Sequence, residues 1–167
     1  PYTLAGADNT ARVANLRGAI QCANLNGTAD VINLNGQTLT LTNSFADYDG
    51  ATALPQITSV ITLSNGTILR NGAAPDFRFL AMSATADLTL NGVTLQDGRL
   101  PVNQDAGAIR NIEGTLRLVG SSILGNQADS SGAIYHERGL MTISNSTISG
   151  NTATRSLGVI TNAEGTL

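Results

Sequence analysis

The chain has 167 residues, of which 41% are apolar, 4% are aromatic and none is Trp, so a single domain with an aliphatic core is expected. Its basic residues are all Arg, and nine of them against twelve acidic residues give a net charge of −3. This composition argues against a disordered chain, against a membrane-spanning helix and, since no basic stripe is present, against binding to nucleic acid.

The first predicted element is a short amphipathic helix. Three apolar residues of NLRGAIQCAN share one helical face: Leu16, Ile20 and Ala23. Asn15 precedes them as the expected N-cap. The only cysteine, Cys22, lies in the same pattern and is predicted to be a buried, small hydrophobic residue. We expect residues 1–30 to form a cap that covers the open end of the repeats that follow.

The next distinctive segment is FADYDG, residues 45–50. Asp47 and Asp49 alternate before a glycine, and carboxylates in this arrangement can bind Ca²⁺ together with backbone carbonyls. No Glu follows at the spacing of a complete calcium loop, so a solvated turn is the alternative. Ca²⁺ is the only cofactor that the sequence indicates.

From residue 31 onward one pattern repeats every 25 to 29 residues. Each repeat has an apolar anchor: Leu34, Leu63, Leu90, Leu118 and Ile143. A second aliphatic residue follows five positions later: Leu39, Ile68, Leu95, Ile123 and Ile148. Alternation before each anchor predicts a strand, and the odd offset of five requires a corner between the two aliphatic residues. Asn and Gly lie at these corners and tolerate left-handed backbone angles.

Further columns precede the strands of the last three repeats. Two sets are spaced alike: Gly107, Gly132 and Gly158, and then Ile109, Ile134 and Ile160. Equivalent residues are therefore expected to stack on successive coils. We predict an all-β fold in which residues 31–167 form a parallel β-helix of about five to six coils, about 4.8 Å apart. Because the chain stops within a repeat, at EGTL, we expect the β-helix to be truncated at its C-terminus.

Two polar columns are predicted to be structural ladders. Asn71, Asn126 and Asn151 recur at one position, where side-chain amides satisfy buried backbone groups. A column of Glu113, Arg138 and Glu164 places Arg138 between two carboxylates and predicts an exposed ion-pair ladder.

The only histidine, His136, shares a column with Asn111 and Asn162. A column otherwise filled by Asn predicts an exposed turn position. No second His or Cys is near it in the sequence, so a zinc site is not indicated.

Three segments resemble a known family: NLRGAIQCANLNGTADVINLNGQTLTL, LPQITSVITLSNGTILRN and GAIYHERGLMTISNSTISGNTA. They are similar to the secreted bacterial right-handed parallel β-helix proteins of the CSLREA / choice-of-anchor type, which are related to polymorphic outer-membrane protein repeats. The resemblance covers residues 15–167 and implies a right-handed β-helix that is secreted or displayed at the cell surface. It implies no catalytic mechanism. Gly18 departs from the family pattern, in which a Glu follows Leu-Arg.

We expect a non-enzymatic extracellular or cell-surface module that acts as a rigid structural or adhesive scaffold. Its expected partners are a polysaccharide, a cell-surface protein or a second copy bound end to end through the last coil. Segments 99–106, 127–131 and 152–157 are predicted to be loops that present the binding surface. We predict no catalytic residues and no membrane insertion by this segment.

Two alternatives follow from the fold. The first is a polysaccharide-degrading lyase or glycoside hydrolase, whose best acids would be Asp97, Asp105 and Asp129, although they lie at unlike repeat positions. The second is ice binding through Thr40 and Thr42, which is disfavoured because the neighbouring threonine column is interrupted by Arg117.

Four arginines are candidates for a groove that binds acidic polysaccharide: Arg70, Arg78, Arg99 and Arg110. They too occupy different positions in their repeats. This favours scattered surface charges over a common groove.

Overall fold

The computed structural model describes residues 1–156 and 158–167. In chain order its elements are β1 (Tyr2–Thr3), α1 (Asn9–Asn26), β2 (Asp30–Asn33), β3 (Thr38–Leu41), β4 (Ala46–Asp47), β5 (Ala51–Thr52), β6 (Val60–Arg70), β7 (Leu80–Met82), β8 (Asp87–Gln96), β9 (Ile109–Ile112), β10 (Thr115–Val119), β11 (Ser122–Leu124), β12 (Gln127–Ser130), β13 (Ile134–Glu137), β14 (Leu140–Ser144), β15 (Thr147–Ser149), β16 (Thr152–Ser156) and β17 (Ile160–Ala163). The fold is mostly β, and its sheets are parallel apart from the β4–β5 hairpin. The all-β class expected from the repeats agrees with this architecture.

The largest sheet joins the anchor strands of successive repeats in the order β1-β2-β6-β8-β10-β14. The aligned anchors are Ile32, Leu63, Leu90, Leu118 and Ile143. The sequence placed Leu34 in this column, and that prediction was wrong by two residues. The first repeat has a corner two residues longer than the others, and both Ile32 and Leu34 are buried. Sequence alternation therefore could not distinguish between them.

The second aliphatic column pairs along the same sheet, through Leu39, Ile68, Leu95, Ile123 and Ile148. In four repeats the residue two positions after the anchor is left-handed: Asn65 at φ 54°, Gly92 at 62°, Gly120 at 54° and Asn145 at 50°. One such residue reverses the alternation of side chains, so that both aliphatic columns face the core. The predicted Asn and Gly corners are present.

A second parallel sheet has the order β17-β13-β9-β7. Ile134 pairs with Ile109 on one side and with Ile160 on the other, as the repeats predict. The loop prediction for segment 127–131 and for most of 152–157 was wrong, because β12 and β16 lie there and pair in parallel. Leu157 lies outside the described residues.

Helix α1 is longer than predicted and spans 18 residues. Its N-cap is Asp8, whose carboxylate accepts a hydrogen bond from the Ala11 amide at 2.9 Å, and not Asn15. Its buried face consists of Val13, Leu16, Ile20 and Ala23. Cys22 is exposed, contrary to the prediction. Successive helical residues are about 100° apart, which turns Cys22 away from Ile20 and Ala23.

Polar side chains of α1 satisfy backbone groups at the edge of the first repeat. The Asn9 amide both donates to the Thr40 carbonyl and accepts from the Thr40 N–H, each at 2.8 Å. Asn24 donates to the Gln56 carbonyl at 2.7 Å and accepts from the Thr58 N–H at 3.0 Å. The helix thus replaces the strand partners that this edge lacks.

Candidate functional site

The amide ladder has two linked members, Asn126 and Asn151. Asn126 Nδ2 donates to Asn151 Oδ1 at 2.9 Å, and the Gly98 N–H donates to Asn126 Oδ1 at 2.8 Å. Asn151 Nδ2 in turn donates a hydrogen bond to the Ile123 carbonyl at 2.8 Å. Asn71 has a different role, because its Oδ1 accepts from the Ala73 N–H within its own turn. Gly98 occupies the equivalent position in the repeat between those of Asn71 and Asn126, and it interrupts the column.

Glu113, Arg138 and Glu164 occupy left-handed corner positions, with φ of 64°, 52° and 59°. Arg138 Nη2 lies 2.7 Å from Glu113 Oε1 and 3.0 Å from Glu137 Oε1. Among the ion pairs of the described residues, Glu164 is not a partner of Arg138. The arginine is thus flanked by two carboxylates, but one comes from its own strand.

The prediction that His136 lies at an exposed turn was wrong, because its side chain is fully buried. Its Nδ1 lies 2.8 Å from Asn111 Nδ2, and Asn111 is buried as well. Asn111 Nδ2 also donates to the Gly114 carbonyl at 2.9 Å. Burial lowers the pKa of His136, and a hydrogen bond with the Gly139 backbone opposes the shift. This column stabilises a corner from inside the core.

Asp47 and Asp49 have separate partners. Asp47 Oδ1 accepts from the Gly50 N–H at 2.7 Å, while Asp49 Oδ2 lies 2.5 Å from Arg110 Nη2. Within residues 1–156 and 158–167 no group of three or more His, Cys, Asp or Glu side chains could hold a metal ion. Binding of Ca²⁺ by Asp47 and Asp49 with backbone carbonyls stays a prediction.

Arg78 is the buried centre of a charge network beside this loop. Its side chain is fully buried, its Nη2 donates to the Asp49 carbonyl at 2.7 Å, and its Nη1 lies 3.6 Å from Asp105 Oδ1. Arg110 Nε lies 3.4 Å from the same oxygen. Burial lowers the pKa of Arg78 to about 10, with Asp105 opposing the shift. Two guanidinium groups and two carboxylates thus tie three segments together, which is a structural role.

The pKa of Asp105 is raised by burial, against the opposing effect of Arg78 and Arg110. Tyr135 lies on the outer side of the network, with the Arg110 guanidinium 5.9 Å from its ring centre. Its hydroxyl donates to Glu137 at 3.1 Å. Burial and this hydrogen bond both raise the pKa of Tyr135.

The three acids considered for hydrolysis belong to different local networks. Asp97 lines a groove at the end of β8, Asp105 joins the Arg78 network, and Asp129 pairs with Arg155 at 3.5 Å. Asp129 also accepts from the Asn103 N–H at 2.8 Å.

Two of the four candidate arginines, Arg70 and Arg99, line one groove. The groove is also lined by Asp97, Gln127 and three glycines: Gly72, Gly98 and Gly125. The groove has a volume of about 240 Å³. The expectation of four scattered surface charges was wrong for this pair and for Arg78, which is buried. The positions of the two arginines within their repeats did not reveal the groove, because Arg70 is the last residue of β6 whereas Arg99 follows the end of β8.

Comparison of the chain with models of known protein families, with curated proteins and with solved structures finds no match. In the described part of the chain, α1 is not apolar enough to cross a membrane, and no other helix is present to do so.

Proposed function

We propose that residues 31–167 form a right-handed parallel β-helix of about five to six coils. The in-register pairing of five successive anchor strands supports this winding. Parallel strands joined by crossovers are right-handed in about 98% of cases, which supports the handedness. Residues 1–30 act as the cap, since α1 both covers apolar side chains and pairs with free edge groups.

We further propose that this β-helix is a non-enzymatic extracellular or cell-surface scaffold with a structural or adhesive role. The observation that carries the proposal is the continuous ladder of equivalent residues, because each repeat supports the next and the stack is rigid. The resemblance to exported β-helix proteins supports the location. The three acids Asp97, Asp105 and Asp129 belong to different local networks. This disfavours a glycosidase, because such an enzyme requires two carboxyl groups on either side of the glycosidic bond that it cleaves.

The proposed partners are a polysaccharide or a cell-surface protein that lies along the outer faces of the stack. Association between copies is a second mode of contact. Among residues 1–156 and 158–167, strands β15 and β16 each pair with a single strand, and Ile143 and Ile148 are partly buried.

The test combines binding and turnover on the same polymers. Polygalacturonate and a neutral polysaccharide are incubated with the protein, and both co-sedimentation and the release of reducing ends or unsaturated products are measured. We expect binding without any increase in chain ends. Depolymerisation above the rate of a boiled sample would contradict the non-enzymatic role and favour the alternative of a lyase or glycoside hydrolase.

A further inference from the structure

The groove at the end of β6 and β8 contains one arginine that is fixed by the backbone. Arg70 is 8% exposed. Its Nε donates to the Asp97 carbonyl at 2.9 Å, and its Nη1 donates to the carbonyls of Ala74 at 2.7 Å and Asn71 at 3.3 Å. None of the described hydrogen bonds or ion pairs uses Nη2. A rigid guanidinium with one free edge is preorganised to bind an anion, because little conformational entropy is lost on binding.

The second arginine of the groove is exposed and adjustable. The Arg99 side chain is 53% exposed, and its Nε lies 3.5 Å from Asp76 Oδ1. With Asp97 included, the groove-lining side chains carry a net charge of +1 (two arginines and one aspartate). Asp76 offsets part of the charge of Arg99, so this groove suits a monoanion better than a dianion, which the Asp97 and Asp76 carboxylates would repel more strongly.

The remaining surface of the groove suits the hydroxyl groups of a sugar ring. Among the described hydrogen bonds none uses the Gln127 side-chain amide or Asp97 Oδ1, so both donors and acceptors are available. Gly72, Gly98 and Gly125 present bare backbone along the groove. The glycine at 125 keeps the carboxylate in place, since a side chain there would meet Asp97 Oδ1 at 2.7 Å.

We propose that this groove binds a carboxylate-bearing saccharide, such as one uronic acid unit of an acidic polysaccharide. Arg70 and Arg99 bind the carboxylate, while Asp97 and Gln127 bind ring hydroxyls. The volume of about 240 Å³ suits a single sugar unit. This inference deepens the proposed function and rests on it for the class of partner.

The test is NMR titration of the full chain with a galacturonic acid trimer, its fully methyl-esterified form and acetate. With the trimer we expect amide shifts concentrated at Gly72, Gly98, Gly125 and Gln127. The neutral ester and acetate should each bind about tenfold more weakly, since the first lacks the charge and the second lacks the ring.

Two variants locate the site. Arg99→Gln should weaken trimer binding about tenfold. Arg155→Gln is the matched control, because Arg155 is also exposed and its Nε also lies 3.5 Å from an aspartate, and it should leave binding unchanged. Gly72→Leu should block the groove without disturbing the fold, because no atom lies within 4 Å of where its Cβ would be.

The outcomes separate this inference from the scaffold proposal. Equal affinity for trimer and ester, shifts centred elsewhere, or equal losses in the Arg99 and Arg155 variants would overturn the groove assignment and leave the scaffold intact. Cleavage of the trimer at this groove would support the binding site but contradict the non-enzymatic function.

Discussion

At the scale of single residues, the polar side chains inside the core replace hydrogen bonds that the corners remove from the backbone. Asn126 accepts from Gly98 and donates to the Leu95 carbonyl at 3.2 Å and to Asn151. His136 and Asn111 form a comparable pair behind another corner. The sequence revealed both columns, but it could not show which members face inward, since Asn is common at exposed turns as well.

His136 makes stability depend on pH. The pKa of His136 in the folded state is lowered by burial, so its imidazole binds a proton more readily in the unfolded chain. The free energy of unfolding is therefore not reduced by this group above the unfolded pKa of about 6.5. Below that pH it falls by up to about 1.4 kcal/mol per pH unit. Urea unfolding of the wild type and of His136→Asn between about pH 7.5 and about pH 5.5 measures the difference. Identical pH dependence in both proteins would refute this role.

Asn126 and Asn71 share a column but not a function. Asn126→Ala leaves the buried Gly98 N–H and the Leu95 carbonyl without their side-chain partner, and we expect a loss of about 1–3 kcal/mol in the free energy of unfolding. Asn71→Ala removes only a bond within its own turn and should cost less than about 1 kcal/mol. Chemical denaturation gives both values, and similar costs at the two positions would contradict the ladder.

At the scale of elements, the anchor strands and their corners could be predicted, because alternation and left-handed residues leave a direct trace in the sequence. Strands β12 and β16 lie in segments that were expected to be loops. The start of α1 could not, since Asn9-Thr10-Ala11 lacks the apolar spacing that marks the later turns. The groove of Arg70 and Arg99 was missed for another reason. Its residues come from different offsets in adjacent repeats, and only the stacking of those repeats brings them together.

Two glycines, Gly132 between β12 and β13 and Gly18 within α1, should change the stability in opposite directions when each is replaced by alanine. A Cβ at Gly132 would overlap the backbone of Thr152 in the next repeat, with its carbonyl oxygen at 2.6 Å, so Gly132→Ala should destabilise by about 1–3 kcal/mol. Gly18 lies within α1 with no atom near its Cβ position, so Gly18→Ala should stabilise by about 0.5–1 kcal/mol. Thermal unfolding of both variants shows whether each substitution raises or lowers the stability. A tolerated alanine at 132 would mean that the repeats approach less closely than described.

At the scale of the whole molecule, the proposed roles of the residues depend on the chain winding so that each repeat lies on the one before. Helix α1, the buried polar columns and the arginine groove all acquire their roles from that stacking. Val31 and Thr142 share one outward-facing column, through Thr62, Thr89 and Arg117, and are thus four rungs apart.

The distance between spin labels at Val31→Cys and Thr142→Cys, in a Cys22→Ser background, tests the winding most directly. Four rung spacings of about 4.8 Å predict a backbone separation of about 19 Å and a narrow distribution of label distances about that value. A broad distribution, or one centred at more than twice that separation, would contradict the stacked repeats.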